Sequence, residues 1–223
     1  NITKYINIGS SCIYPRDTNT PIKENQLLTN SLERTNEYYA ISKIHALKLC
    51  EAINKQFGHF YFSLMPTNLY GPDDNFDLEH SHVIPALINK FFHANLNKKK
   101  NIKMIGTGNA KRDFLHVDDL SDAIITLCST KKNKLSKIFN NKKLYHINIG
   151  SSSEISIKNL TKIIAKIIGY KGIIEFEKKT TIYNGVMSKK LDNSLINSFG
   201  WNAKINLEMG LKQTIEWYIS NYK

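Results

Sequence analysis

Apolar residues recur along this chain in two rhythms. Tyr5 to Gly9 (YINIG), Phe60 to Leu64 (FYFSL) and Tyr145 to Gly150 (YHINIG) are short aromatic or β-branched runs. Two of them stop on a glycine, the shape of a buried parallel strand meeting a loop. Longer stretches carry the three-to-four spacing of helices. Asn36 to Phe57 sets Tyr39, Ala40, Ile44, Leu47, Ala52 and Ile53 along such a stretch and stops at Gly58. His82 to Ala94, with Pro85 in its first turn, reads the same way, as do Asp113 to Ser129, Ile157 to Ile168 and Leu207 to Tyr222. Asp118 and Asp119 suit the positive end of the second of these helices. Met65 to Pro72 reads as a Pro/Gly loop. Strands alternating with helices predict an α/β fold with a parallel sheet, whose ligands bind at the C-terminal ends of the strands. The chain shows no repeat of solenoid length.

Composition narrows the class. The 223 residues, 41% apolar, are those of a globular protein rather than a disordered or collagen-like one. No run is long and apolar enough to span a membrane, and the first residues read as a strand rather than a leader. Cys12, Cys50 and Cys128 cannot all pair with one another, and none has CxxC or zinc-knuckle spacing. A soluble cytoplasmic protein with reduced cysteines and no metal site is the expectation. Lys and Arg outnumber Asp and Glu by 31 to 19, which invites anionic partners. Much of that excess lies in two Asn/Lys tracts, 97–101 and 131–143, expected to be solvated surface loops. Neither carries the interleaved aromatics of a nucleic-acid surface, so no nucleic-acid partner is expected.

Chemistry concentrates near the strand ends. Tyr39 and Lys43 stand four residues apart, on one face of the predicted helix, where an ammonium favours the ionised form of a phenol. A tyrosine so placed can trade a proton with a carbonyl oxygen, and Ser10, at a neighbouring strand end, can hold that oxygen. A YxxxK pair alone is common on helices; its company singles this one out. No glycine fingerprint for a dinucleotide pyrophosphate is found: Gly106-Thr107-Gly108 is followed by Asn109-Ala110-Lys111-Arg112 rather than by an apolar helix.

Five blocks, in order, carry a family resemblance: Gly9-Ser10-Ser11-Cys12-Ile13-Tyr14-Pro15; Thr35 to Lys43; Met65 to Phe76; Ser81-His82-Val83-Ile84-Pro85-Ala86-Leu87; and Arg112-Asp113-Phe114-Leu115-His116-Val117-Asp118-Asp119. Together they resemble the extended short-chain dehydrogenase/reductase family, and within it the members that epimerise and reduce GDP-4-keto-6-deoxy-D-mannose with NADPH. The resemblance implies a Rossmann-type sheet with a smaller C-terminal substrate lobe, residues 1–69 and 113–150 forming the first and 70–112 and 151–223 the second. It implies that Ser10 and Tyr39 contact the sugar's C4 oxygen, that Tyr39 donates the proton in reduction and that Lys43 holds the nicotinamide ribose. Cys12 and His82 become the base and acid of epimerisation at C3 and C5, where enolate formation acidifies the protons beside a ketone. Ile8, Gly9, Ser10 and Ser11 would wall the nicotinamide end of NADPH, facing Pro66, Thr67, Asn68 and Leu69, with His82 beside it. Lys90, Arg112 and Asp192 match nucleotide-sugar contacts, and Ile105 stands where the family commonly has a tryptophan against the substrate. A homodimer through the helix bearing Tyr39 and Lys43 is implied as well.

The family's segments ahead of Tyr5, with their GxxGxxG loop, have no counterpart in this sequence, so it is expected to be the C-terminal part of a longer enzyme. Two rivals stand beside the reductase reading. A nucleotide-sugar 4-epimerase shares Ser, Tyr and Lys but lacks the Cys12/His82 pair, and a non-catalytic remnant would use its basic tracts to bind a partner.

Overall fold

The computed structural model describes residues 2, 4–142, 144–177 and 187–221. Lys143, Tyr222 and Lys223, which fall in sequence-predicted segments, lie outside the described residues. Eight strands and seven α-helices are described: β1 (Lys4–Ile8), α1 (Glu37–Phe57), β2 (Phe60–Pro66), β3 (Asn68–Tyr70), α2 (Val83–Leu96), β4 (Asn101–Met104), β5 (Lys111–His116), α3 (Val117–Ser129), α4 (Lys132–Lys142), β6 (His146–Ile149), β7 (Glu154–Ser156), α5 (Ile157–Ile168), β8 (Ile173–Phe176), α6 (Ser194–Asn197) and α7 (Leu207–Asn221).

The first sheet runs β1-β2-β6, all parallel, with Ile8 opposite Leu64 and Pro66 opposite Ile149. A parallel pair needs a crossover, and α1 supplies it between β1 and β2. Gly58 ends that helix with φ +66°, a left-handed value that only glycine adopts without strain, and its N–H bonds the carbonyl of Asn54. A second sheet joins β3 and β5 in parallel and β5 to β7 antiparallel, while β4 and β8 form a separate parallel pair.

Two larger cores follow these layers. Phe62, Leu64, Leu115, Leu127, Ile147 and Trp201 pack around the first sheet with α3 and α4. Tyr70, Phe91, Leu160, Ile164, Leu211 and Tyr218 pack between α2, α5 and α7. A third, smaller cluster, with Ile13, Tyr14, Leu47 and Met65, lies beneath the loop that follows β1.

Three expectations are corrected. Met65 to Pro72 is not all loop: Met65 and Pro66 end β2, and Asn68–Tyr70 is a strand paired with Phe114–His116, because the backbone of β5 offers it a ladder that its own letters do not reveal. Asp113 to Ser129 begins as the end of β5, and the helix starts only at Val117, capped by the His116 ring accepting from the Asp118 N–H. The tract 131–143 is not a solvated loop but contains α4. Leu135 and Phe139, one turn apart, are buried against Phe60 and Phe62, so a polar helix is held by one apolar stripe. The first tract, 97–101, does stay largely exposed as the turn into β4.

The anchoring of α4 sets up a contrast that unfolding measurements can read. Removing the Phe139 ring leaves a cavity, so Phe139→Ala should cost about 3–5 kcal/mol, whereas Lys137→Ala on the same helix should stay within about 0.5 kcal/mol. Equal small losses in urea titrations of the two variants would show that α4 is not held by its apolar stripe.

Candidate active site

The parallel ladder does not stop at the last strand residues. Gly9 N–H donates to the Leu64 carbonyl at 2.8 Å and Thr67 N–H to the Ile149 carbonyl at 2.9 Å, which carries the strand ends side by side to one rim of the sheet. A Cβ at Gly9 would stand 2.5 Å from the Met65 sulfur and 3.2 Å from the Leu64 carbonyl oxygen, so a larger residue there would force the buried Met65 side chain to move. A cavity of about 500 Å³ opens at this rim.

Each wall of the cavity comes from a different element. Beyond β1, Ile8 to Ser11 and Cys12 form one wall, shaped by a 3₁₀ turn over Ser11–Ile13. Ser10 caps that turn, its Oγ accepting the Cys12 N–H at 3.2 Å, so the hydroxyl hydrogen stays available to donate. Along α1, Asn36, Tyr39 and Lys43 face the same space at three- and four-residue spacing. The Lys43 ammonium bonds the Ile8 carbonyl at 3.1 Å and lies 5.6 Å from the centre of the Tyr39 ring. The opposite wall is Pro66, Thr67, Asn68 and Leu69, where β2 passes into β3. Thr67 Oγ1 and Asn68 Nδ2 both donate to the Asp113 carbonyl, at 3.0 and 2.9 Å, which ties this wall to β5. His82 closes the far side as the N-cap residue of α2, its side chain making no cap bond. Asp74, in the preceding loop, has its carboxyl pushed up by burial, opposed by its own Asn75 backbone bond and by the nearby His82 charge.

A neighbouring cavity of about 300 Å³ shares Asn68, Leu69 and His82 with the first and adds Arg112 and Phe114. Burial pushes the Arg112 guanidinium down, against the opposing charge of Glu154. Glu154 in turn accepts from Ser188 Oγ at 2.8 Å and from the Lys189 N–H at 3.0 Å.

Residues 1–150 match the NAD dependent epimerase/dehydratase family. The chain belongs to that family. It is similar to GDP-L-fucose synthase 1 of Arabidopsis thaliana, 43% identical over 99% of this chain and 64% of that protein. It is similar also to GDP-L-fucose synthase of Escherichia coli, 41% identical over 99% of this chain and 68% of that protein. Among solved structures, the GDP-L-fucose synthetase of Naegleria fowleri bound to NADP superposes with a TM-score of 0.83 at 25% identity, over 99% of this chain and 67% of that one. The chain thus spans about two thirds of the length of the proteins it matches.

Every catalytic and cofactor-binding candidate singled out in the sequence lines the larger cavity. Of the four nucleotide-sugar candidates, Arg112 lines the adjoining one, and the other three stand outside both. Lys90 lies on α2, its ammonium on the Lys103 carbonyl at 2.6 Å and its pKa pushed down by burial. Ile105 is 69% exposed beyond β4, and the Asp192 carboxylate accepts the Ser194 N–H at 2.8 Å. Two residues of the site region escaped sequence reasoning. Asn36 lines the cavity one turn before Tyr39; it stood in the motif block Thr35 to Lys43 but carried no role there. Asp113 was visible as part of a motif block but carried no role. It is fully buried, its carboxylate accepting from Ser151 Oγ and the Ser151 N–H at 3.1 Å, and burial pushes it up to about 6.

That shift has a definite sign. A carboxyl raised from 3.8 to about 6 on folding adds stability that is complete below 3.8 and lost as pH climbs through 6. Two units correspond to about 3 kcal/mol. The unfolding free energy of the protein minus that of Asp113→Asn should therefore fall by up to about 3 kcal/mol between pH 4 and pH 7. His146, pushed down to about 4 by burial, titrates in the same window but is common to both proteins and cancels. A difference that stays flat across the window would refute the assignment.

Proposed function

We propose that the protein containing this chain is an NADPH-dependent 3,5-epimerase and 4-reductase that converts GDP-4-keto-6-deoxy-D-mannose to GDP-L-fucose. The observation that carries this reading is the convergence of Ser10, Cys12, Tyr39, Lys43 and His82 from three separate chain segments on one cavity. Its relatives in Arabidopsis and Escherichia coli bear the corresponding name. A 4-epimerase would have use for Ser10, Tyr39 and Lys43 but none for a second proton-transfer pair.

The residues present fit the nicotinamide-ribose end of the cofactor. Lys43 offers three donors, of which the Ile8 carbonyl takes one, and the backbone of Ile8–Ser11 and Pro66–Leu69 provides two facing walls. When bound, NADPH supplies the hydride for C4. Ser10 donates its free hydroxyl hydrogen to the C4 oxygen, and Tyr39 shares that oxygen, so negative charge that develops there meets two donors. Cys12 and His82 remove and return protons at C5 and C3 while that oxygen holds the enolate charge. Tyr39 then gives its proton to the C4 oxygen, and Lys43 offsets the charge left on the phenolate. Arg112, half-buried at the adjoining cavity, meets the GDP diphosphate there, with Lys90, Ile105 and Asp192 contacting the rest of the nucleotide sugar.

In this reading residues 1–69 and 113–150 serve the cofactor side and 70–112 and 151–223 the substrate side. The protein is a homodimer through α1, whose outward face exposes Tyr38, Ile41 and Leu49. Among the described residues no helix is long and apolar enough to cross a membrane.

The test uses the full native polypeptide. With GDP-4-keto-6-deoxy-D-mannose, NADPH oxidation should fall about 10²- to 10⁴-fold in Tyr39→Phe. In deuterated water without NADPH, the parent protein should wash deuterium into C3 and C5, and Cys12→Ser and His82→Gln should not. Undiminished exchange in both variants would remove the second proton-transfer pair and return the site to a simple reductase or 4-epimerase.

A further inference from the structure

Asn36 breaks the usual behaviour of its position. It is the N-cap of α1, where an asparagine side chain ordinarily accepts a backbone N–H of the first turn. Here the side chain makes no cap bond, and its Oδ1 is buried with no partner. A buried, unpaired amide oxygen is costly, so its retention calls for a reason outside the helix. The residue lines the cavity beside Tyr39 and Lys43.

Order along α1 says which part of the ligand it meets. At 1.5 Å per residue, Asn36 stands about 4.5 Å before Tyr39 and Lys43 about 6 Å after it. Lys43 is the cofactor end of this row and Tyr39 the carbonyl, so Asn36 lies on the side away from the cofactor ribose, against the sugar. A carboxamide presents an acceptor in one orientation and a donor in the other. A hydroxyl, which can both give and accept, satisfies either face.

We propose that Asn36 is a substrate-recognition residue that hydrogen-bonds the sugar hydroxyl next to the keto carbon, and so selects 4-keto sugars that carry a 3-hydroxyl over 3-deoxy ones. This rests on the reading of the cavity as a 4-keto-sugar reductase site. The asparagine is withheld from its capping role because that hydroxyl is its partner in the complex.

The experiment pairs two substrates with three proteins. The full-length protein, Asn36→Ala and Asn36→Ser are assayed for kcat/KM with GDP-4-keto-6-deoxy-D-mannose and with its 3-deoxy analogue, and thermal melting is recorded for each. One neutral hydrogen bond corresponds to about a five- to tenfold effect. Asn36→Ala should lose that factor on the hydroxylated substrate and almost none on the analogue, with Asn36→Ser recovering part of the loss. Melting should not fall in Asn36→Ala, because no cap bond is removed. Equal losses on both substrates, or none on either, would overturn the proposal while leaving the functional reading intact. A full-length parent protein that turns over neither substrate would instead overturn the functional reading, and this inference with it.

Discussion

Two backbone hydrogen bonds, Gly9 N–H to the Leu64 carbonyl and Thr67 N–H to the Ile149 carbonyl, hold the candidate site in being. They extend the parallel register of β1, β2 and β6 by one residue beyond the strands themselves, so that three chain segments leave the sheet at a common height. Parallel strands all present their C-terminal ends at one edge, and the chain must turn away there without a hairpin partner. The ends are therefore open to a ligand, and the side chains that follow, Ser10 and Cys12 on one side and Thr67 to Leu69 on the other, are fixed relative to one another by the ladder rather than by each other. The absence of a side chain at Gly9 leaves room for the Met65 thioether, which a methyl group there would overlap.

Attachment of the remaining parts follows from this rim. The Lys43 ammonium bonds the Ile8 carbonyl and so ties the face of α1 to the end of β1 with a link that is exposed and reversible. Asp113 does the same from the other direction, but permanently. Its carbonyl takes both Thr67 and Asn68, and its carboxylate takes Ser151, so one residue joins the second sheet to the ends of β2 and β6. Asn193 clamps the same point, accepting the Gly150 N–H and donating back to the Gly150 carbonyl. His82 caps α2, whose hydrophobic partners lie in the second core, and Arg112 comes from β5, which joins the two cores through Phe114 on one side and Leu115 on the other, so both reach the rim because the second core is fastened to the first there.

What was legible in the sequence follows the same division. Long periodic segments such as α1 and α5 declared themselves, because each buries an apolar stripe and ends on a glycine, as did β2 and β6, whose runs are almost wholly buried. The segment β1 is a strand too, but at the edge of the described sheet, with Tyr5 and Ile8 exposed where its letters suggest a buried one. The short strands β3, β4, β7 and β8 did not. Three or four residues that pair at the margin of a sheet carry too few positions to show a period, and β5 was hidden by running directly into α3. The helix α4 was masked by composition: eight of its 11 residues are polar and advertise solvent, while Leu135 and Phe139 decide the packing. The residues of the cavity were legible through motif blocks, since chemistry constrains identity more tightly than packing does. Asn36 and Asp113 were not, because their significance lies in hydrogen bonds made or missing, which letters do not show.

Charge around the two cavities carries the last step. The net positive charge of the chain says little about where an anion would bind, since most exposed lysines lie in solvent, where paired or unpaired they contribute little. Arg112 is different. Partial burial removes some of the water from its guanidinium and pushes its pKa down, and Glu154, its counter-charge, is itself engaged by Ser188 and Lys189. A cation partly desolvated in advance gains more from an anionic ligand than a fully hydrated one does, because the ligand displaces less of its water. The neighbouring cavity has the complementary property: its polar groups, Ser10, Asn36, Tyr39 and Lys43, keep hydrogen-bonding capacity that the fold does not consume. An anion held at Arg112 therefore delivers whatever is attached to it into a space whose donors and acceptors are still free. A nucleotide diphosphate joined to a sugar is a molecule with both halves of that chemistry.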